Sequence, residues 1–294
     1  MADKIFDIGM IGLGRMGSRM ASRIADAGHH LYVRDVVPAA IEPLVRRGAQ
    51  PCDTPAAVVA LTEFVITSLP SPKDVDQVML GPGGLLEAVR PKTVVIETST
   101  VGPAQSRALA DRFAAQKAFY LDAPISGGIP GAENGTLSVM VGGDAAAFER
   151  VRPVLRHIGT EIRHLGPSGA GSAAKLINQI VFLSYGALLC EAVALGGRYG
   201  LGVTPLIEIL ETSLAGQPLS TGWHEKLKTG DTAAGFEIER ILKDLSLGAE
   251  MSAELGFEAP VFAAALAAYE HARALGYGKR DLSILATLAK EEKP

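Results

Sequence analysis

The sequence predicts an α/β fold, a mostly parallel sheet followed by an all-α domain, on three observations. Strand-like and helix-like segments alternate through the first half of the chain. The alternation stops at the turn Gly166-Pro167-Ser168-Gly169-Ala170-Gly171. A long apolar stretch from Ser172 to Tyr199 follows, and no convincing strand pattern comes after it. Strands alternating with helices imply parallel pairing with both faces of the sheet covered.

The elements follow in order. An apolar strand at Phe6–Gly12 leads to a helix at Met16–Ala27, which Gly28 stops. A strand at His30–Asp35 precedes a helix at Ala39–Arg47. Thr54-Pro55, a capping hydroxyl followed by proline at the first helical position, starts a helix at Ala56–Leu61. Strands at Phe64–Leu69 and Thr93–Glu97 precede a helix at Pro103–Gln116. Strands at Ala118–Asp122 and Leu137–Val141, a helix at Ala145–Ile158 and a strand at Glu161–His164 complete the first domain, 1–165.

In the second domain, 166–294, Ser172–Tyr199 reads as one helix roughly 40 Å long. It is apolar on nearly every face after Gln179, so other helices or a partner subunit must bury it. Further helices are expected at Pro205–Thr212, Gly235–Leu255, Pro260–Leu275 and Leu282–Lys290.

Composition narrows the function classes. At 294 residues the chain suffices for two modest domains. It is 48% apolar and 20% charged, with a net charge of −4 and interspersed signs. This pattern points to neither nucleic acid nor an anionic membrane surface. Cys52 and Cys190 lie far apart without metal-ligand spacing and read as buried thiols in a reducing compartment, so no metal is expected. The N-terminus lacks a signal-peptide pattern, and Ile180–Cys190 is short for a membrane span, so the expected location is cytoplasmic.

The first strand enters a G-x-G-x-x-G turn, Gly12-Leu13-Gly14-Arg15-Met16-Gly17, with Asp35 about 20 residues further on. Gly12 permits the tight turn, Gly14 lets backbone approach a pyrophosphate, and Gly17 lets the helix pack closely. The helix N-terminus faces the phosphates, and Asp35 accepts hydrogen bonds from a ribose diol. This is the fingerprint of a Rossmann-type dinucleotide-binding domain. Asp35 would repel a 2′-phosphate, and Val36 and Val37 follow it instead of arginine, which selects NAD over NADP. Arg34 is basic, but neighbours in an extended segment point to opposite faces.

Ligands collect at the carboxyl ends of parallel strands. The loops expected there are Pro70-Ser71-Pro72, Thr98-Ser99-Thr100 and Ala123-Pro124-Ile125-Ser126-Gly127-Gly128. Consecutive Ser-Gly-Gly amides can form a nest for a carboxylate. Lys175 stands one turn into the long helix, with Asn178 and Gln179 on its face at i+3 and i+4. A lysine there opposes the helix dipole, and burial makes it a candidate proton donor. Lys243-Asp244-Leu245 is a second candidate, with a surface ion pair as the plainer reading.

Together these segments resemble the β-hydroxyacid dehydrogenase family, the relatives of 3-hydroxyisobutyrate dehydrogenase and tartronate semialdehyde reductase, over essentially the whole chain. Gly12–Gly17 is similar to that family's G-L-G-x-M-G opening. Asp122–Gly128, with Gly131-Ala132 and Gly135-Thr136-Leu137, resembles its substrate-binding signature. Gly169-Ala170-Gly171, Lys175 and Asn178-Gln179 resemble its catalytic helix, and Lys243-Asp244-Leu245 its C-terminal lysine segment. The resemblance implies Lys175 as general acid or base. It also implies Ser126, Gly127 and Gly128 on a substrate carboxylate, with Asn178 and Gln179 at the substrate. Leu69, Pro70, Thr100 and Lys243 would border NAD, Asp244 would shape the site, and the assembly would be a homodimer or homotetramer.

Many relatives carry a second asparagine where this chain has Gln179. Substrate selectivity is expected near Ser213-Leu214-Ala215-Gly216-Gln217. The implied reaction is hydride transfer between a small β-hydroxy acid and its semialdehyde. The alternatives are an imine reductase on the same scaffold, against which Lys175 argues, and a non-catalytic nucleotide-binding sensor.

Overall fold

The computed structural model describes residues 5–213, 223–233, 235–256 and 258–291. Its first elements are β1 (Asp7–Ile11), α1 (Gly17–Asp26), β2 (His30–Arg34), α2 (Pro38–Val45), β3 (Gln50–Pro51), α3 (Pro55–Leu61) and β4 (Phe64–Thr67). Next come α4 (Pro72–Leu80), α5 (Leu85–Ala88), β5 (Val94–Glu97), α6 (Pro103–Ala115), β6 (Phe119–Asp122), β7 (Ile125–Ser126) and α7 (Gly128–Asn134). Then follow β8 (Leu137–Gly142), α8 (Ala145–Leu155) and β9 (Gly159–Gly166). The rest is helical: α9 (Ala170–Tyr199), α10 (Val203–Thr212), α11 (Trp223–Thr229), α12 (Ile238–Glu254), α13 (Pro260–Ala274) and α14 (Ile284–Glu291).

Among the described residues the strands form one sheet in the order β3-β2-β1-β4-β5-β6-β8-β7, with β9 also pairing β8. Pairing is parallel from β3 to β6 and between β8 and β9. It is antiparallel where β8 meets β6 and β7. Every residue of β4 and β5 is buried, as strands covered on both faces require. The pleat divides them: Ile66 and Ile96 join the core under α1 and α8, while Val65 and Val95 join the core under α3 and α6.

The chain divides into two compact units, Met1–Lys175 and Leu176–Pro294. The second has its own core of Leu183, Cys190, Ile241, Leu245, Tyr269 and Leu282 among others. There the Tyr269 hydroxyl donates to the Leu183 carbonyl at 2.7 Å. The buried Asp281 carboxylate accepts the Gly235 and Phe236 amides at 3.1 and 2.8 Å.

Several expectations need correction. The strands β3 and β7 and the helices α4, α5, α7 and α11 were not predicted, because each is short or hidden in what reads as a turn. Pro70-Ser71-Pro72 is no mere turn: the Ser71 hydroxyl accepts from the Asp74 amide at 3.3 Å and Pro72 opens α4. β2 stops at Arg34 and β4 at Thr67, which leaves Asp35 and Leu69 in the loops beyond them. Cys190 is buried but Cys52 only half-buried. Residues 170–194 of α9 are long and apolar enough by composition to cross a membrane, yet 47% of that window is buried within the protein. Ile177, Val181 and Leu188 on α9 are nonetheless exposed.

Candidate active site

The Gly-rich turn joins β1 to α1. Gly12 has φ 86°, and a Cβ there would lie 2.2 Å from the Ser68 carbonyl oxygen, so only glycine fits. A Cβ on Gly17 would lie 1.9 Å from the Gly12 oxygen, which shows how closely α1 is set against the turn. Gly14 is different. It is exposed, and a Cβ there would meet no protein atom within 4 Å. Protein packing therefore does not call for glycine at this position, and the backbone there is open to approach from outside. α1 starts with no side-chain cap and no acidic residue in its first turn, as an anion-binding helix end requires.

Asp35 lies beside that turn. Its Oδ2 accepts the Leu13 amide at 2.6 Å and its Oδ1 accepts the Val37 amide at 2.8 Å. A carboxylate oxygen has a second lone pair, so each can still accept a hydroxyl. The Arg34 guanidinium donates to the Asp35 backbone carbonyl. Turn, helix end and carboxylate together fit a dinucleotide.

The ends of β4 and β5 are tied together by a group the sequence reading missed. Glu97, with no exposed surface, accepts the Thr67 hydroxyl at 2.7 Å on Oε2 and the Ser99 amide at 2.6 Å on Oε1. Ser99 Oγ in turn accepts the Leu69 amide at 2.7 Å, and the Thr98 hydroxyl donates to the Thr67 carbonyl at 2.6 Å. The loops carrying Leu69 and Pro70 and Thr100 are thus pinned to each other.

At the next strand end, Ser126 pairs with Ser138 across β7 and β8. The segment Ser126-Gly127-Gly128 is therefore a strand-to-helix junction, not the open loop expected. Gly127 and Gly128 have φ of 129° and 62° and are both exposed. Asp122, fully buried at the end of β6, accepts the Gly169 amide on Oδ1 and the Ser172 amide on Oδ2, both at 2.8 Å. Burial raises its pKa, and these two amide bonds offset that only in part. The neighbouring Tyr120 hydroxyl is held well above its ordinary pKa, first by burial and then by the charge of Glu97.

Lys175 ends the first unit and is 8% exposed. In the second unit, Asn178 is half-buried and Gln179 buried. The Gln179 amide nitrogen donates to Asp244 Oδ2 at 2.6 Å, which uses one of its two N–H donors and fixes the direction of the side chain. Lys243 Nζ lies 3.0 Å from Asp244 Oδ1, and Asp244 is buried, so the pair is more than a solvated surface bridge. Lys243 also lines an open cavity of about 390 Å³ with Glu239, Leu242, Ser246 and Arg273. Of the selectivity segment, Ser213 ends α10, while residues 214–217 lie outside the described residues. Among the described residues no cluster of three His, Cys, Asp or Glu side chains could hold a metal.

Residues 7–166 match the family of the NAD binding domain of 6-phosphogluconate dehydrogenase. Residues 169–289 match that described as the NAD-binding domain of NADP-dependent 3-hydroxyisobutyrate dehydrogenase. The chain is 39% identical over 283 residues to 2-(hydroxymethyl)glutarate dehydrogenase of Eubacterium barkeri, covering 96% of this chain and 94% of that protein. The protein belongs to the β-hydroxyacid dehydrogenase family.

Other relatives of this β-hydroxyacid dehydrogenase agree. It is 39% identical over 248 residues to the 3-hydroxyisobutyrate dehydrogenase of Pseudomonas aeruginosa, covering 82% of this chain and 83% of that one. The crystal structure of 3-hydroxyisobutyrate dehydrogenase from Salmonella typhimurium superposes with a TM-score of 0.89 at 28% identity, covering 96% and 99% of the two chains. The dehydrogenase is thus an oxidoreductase with domains for a nicotinamide cofactor.

Proposed function

We propose that this protein is an NAD-dependent dehydrogenase that interconverts a small β-hydroxy acid and its semialdehyde, with Lys175 as general acid and base. The observation that carries the reading is a lysine 8% exposed one turn into α9. A lysine withdrawn from solvent beside amide side chains is the group on this helix suited to a proton-transfer role. Bound NAD supplies the hydride acceptor and NADH the donor. In oxidation, neutral Lys175 Nζ takes the proton from the substrate hydroxyl as the carbon loses its hydride. In reduction, the Lys175 ammonium returns a proton to the same oxygen.

Ser126, Gly127 and Gly128 hold the substrate carboxylate in this reading, through one hydroxyl and backbone amides at the exposed β7–α7 junction. NAD is assigned over NADP because Asp35, fixed by Leu13 and Val37, puts a negative charge where a 2′-phosphate would sit. The likeness to 2-(hydroxymethyl)glutarate dehydrogenase and 3-hydroxyisobutyrate dehydrogenase supports a short carboxylate bearing a β-hydroxyl as the substrate. The enzyme is read as cytoplasmic and as a homodimer or homotetramer. Exposed Ile177, Val181 and Leu188, spaced along one face of α9, support the latter.

A panel of hydroxy acids, aldehydes and a cyclic imine, followed at the NADH absorbance, tests the reaction class. Turnover of a β-hydroxy acid by the wild type is expected. Lys175→Ala should lower kcat by roughly 10²–10⁴ with NADH binding nearly intact. Full turnover by that variant, or turnover of the imine alone, would overturn the reading.

A further inference from the structure

We propose that Asp122 is the positioning residue that fixes where Lys175 stands, by anchoring the first turn of α9 to the end of β6. This rests on the acid–base reading of Lys175. An ordinary helix cap is local, its side chain a few residues before the amides it satisfies. Asp122 reaches its partners across 47 and 50 residues, from a different element, and does so with no exposed surface.

The geometry is specific. One amide bond would let the helix swivel about its donor. Two, on Gly169 and Ser172, fix both the axial position and the rotation of the first turn. Lys175 follows Ser172 by three residues, so it sits on the same face about 4.5 Å further along. The approach is close enough that a Cβ on Gly171 would lie 2.2 Å from the Met140 oxygen and 2.4 Å from the Asp122 oxygen. A second tie, Ser172 Oγ to Ser106 Oγ at 2.8 Å, joins the same turn to α6. Burying a carboxylate at a strand end is a costly way to cap a helix whose local sequence could have supplied a serine or aspartate. Placement of the amine at the next turn is what this arrangement secures.

A double-mutant cycle on the full-length enzyme separates placement from general support of the fold. Asp122→Asn keeps size but sets an amide N–H₂ against one backbone N–H, so one of the two bonds is lost. Its kcat should fall by about ten- to a hundredfold, the range expected when a reacting group is displaced by about an ångström. The Kd for NADH should stay within about threefold, and circular dichroism should show native helix content. In a Lys175→Ala background the same substitution should change kcat by less than about threefold, because the group it places is gone.

Equal losses in both backgrounds, or wild-type turnover by Asp122→Asn, would overturn the proposal. Failure of the underlying reading shows separately, as full turnover by Lys175→Ala alone. Should Asp122→Asn not fold, Asp122→Glu keeps the charge and shifts the carboxylate by one methylene. It should show the same dependence on Lys175 at smaller size, and a Lys175-independent loss would again overturn the proposal.

Discussion

Asp35 Oδ2 accepts the backbone amide of Leu13 at 2.6 Å, so the acidic residue after β2 and the Gly-rich turn after β1 form one hydrogen-bonded unit. The carboxylate is already oriented by this bond before any ribose reaches it.

Asp35→Ala removes the bonds to Leu13 and Val37 and, in the proposed reading, the acceptor for a ribose diol. The Kd for NADH should rise about ten- to a hundredfold, as for loss of a charged hydrogen-bond acceptor, and discrimination against NADPH should shrink. Fluorescence titration with both cofactors measures it. An unchanged NADH/NADPH ratio would place the ribose contact elsewhere.

Two glycines of the same turn should separate binding from folding. A Cβ on Gly14 meets nothing within 4 Å, so Gly14→Ala should leave stability within about 0.5 kcal/mol of wild type while weakening NADH binding. A Cβ on Gly17 would lie 1.9 Å from the Gly12 oxygen, so Gly17→Ala should lower the thermal midpoint itself. If Gly14→Ala melted early and bound NADH normally, the turn would have no part in holding the cofactor.

Glu97 and Ser99 hold the loops beyond β4 and β5. Ser99→Ala leaves the Leu69 amide without its acceptor and should raise the Kd for NADH several-fold. Glu97→Ala strands the Thr67 hydroxyl and the Ser99 amide in the interior, at about 1–3 kcal/mol for each buried group left unpaired. Urea unfolding beside cofactor titration distinguishes the two effects, and normal behaviour of both variants would remove these residues from the site.

The pKa of Asp122 is raised by burial, and the sign of the pH dependence follows. A carboxyl that holds its proton more tightly when folded stabilises fully below its unfolded pKa. That contribution is lost as pH rises through the folded value. The stability of wild type minus that of Asp122→Asn should therefore fall as pH rises from just below the ordinary aspartate range toward neutrality. Urea midpoints at a series of pH values check this, and a difference that grows with pH would mean the charged form is the favoured one.

How far the sequence could be read depended on whether the signal was local. Thr54-Pro55 and Gly28 announced their helix ends, and the Thr54 hydroxyl indeed accepts the Ala57 amide. Ser71-Pro72 has the same chemistry but was hidden by Pro70, so α4 went unseen. The two-residue strands β3 and β7 are too short to carry a period, and β7 exists only because β8 pairs it. Gly12, Gly14 and Gly17 could be assigned because their spacing is itself the fingerprint. Glu97 and the Gln179–Asp244 bond could not: their partners lie 30 and 65 residues away, and only the folded chain brings them together.

The far-reaching bond of Asp122 also bears on how this polypeptide can be cut. A fragment stopped at residue 165 would contain every strand residue except Gly166, yet lack both Gly169 and Ser172. Its last buried acid, at the end of the interior strand β6, would lose both amide partners and be opened to solvent. A nucleotide-binding piece meant to survive alone has to carry the opening turn of the following helix along with it.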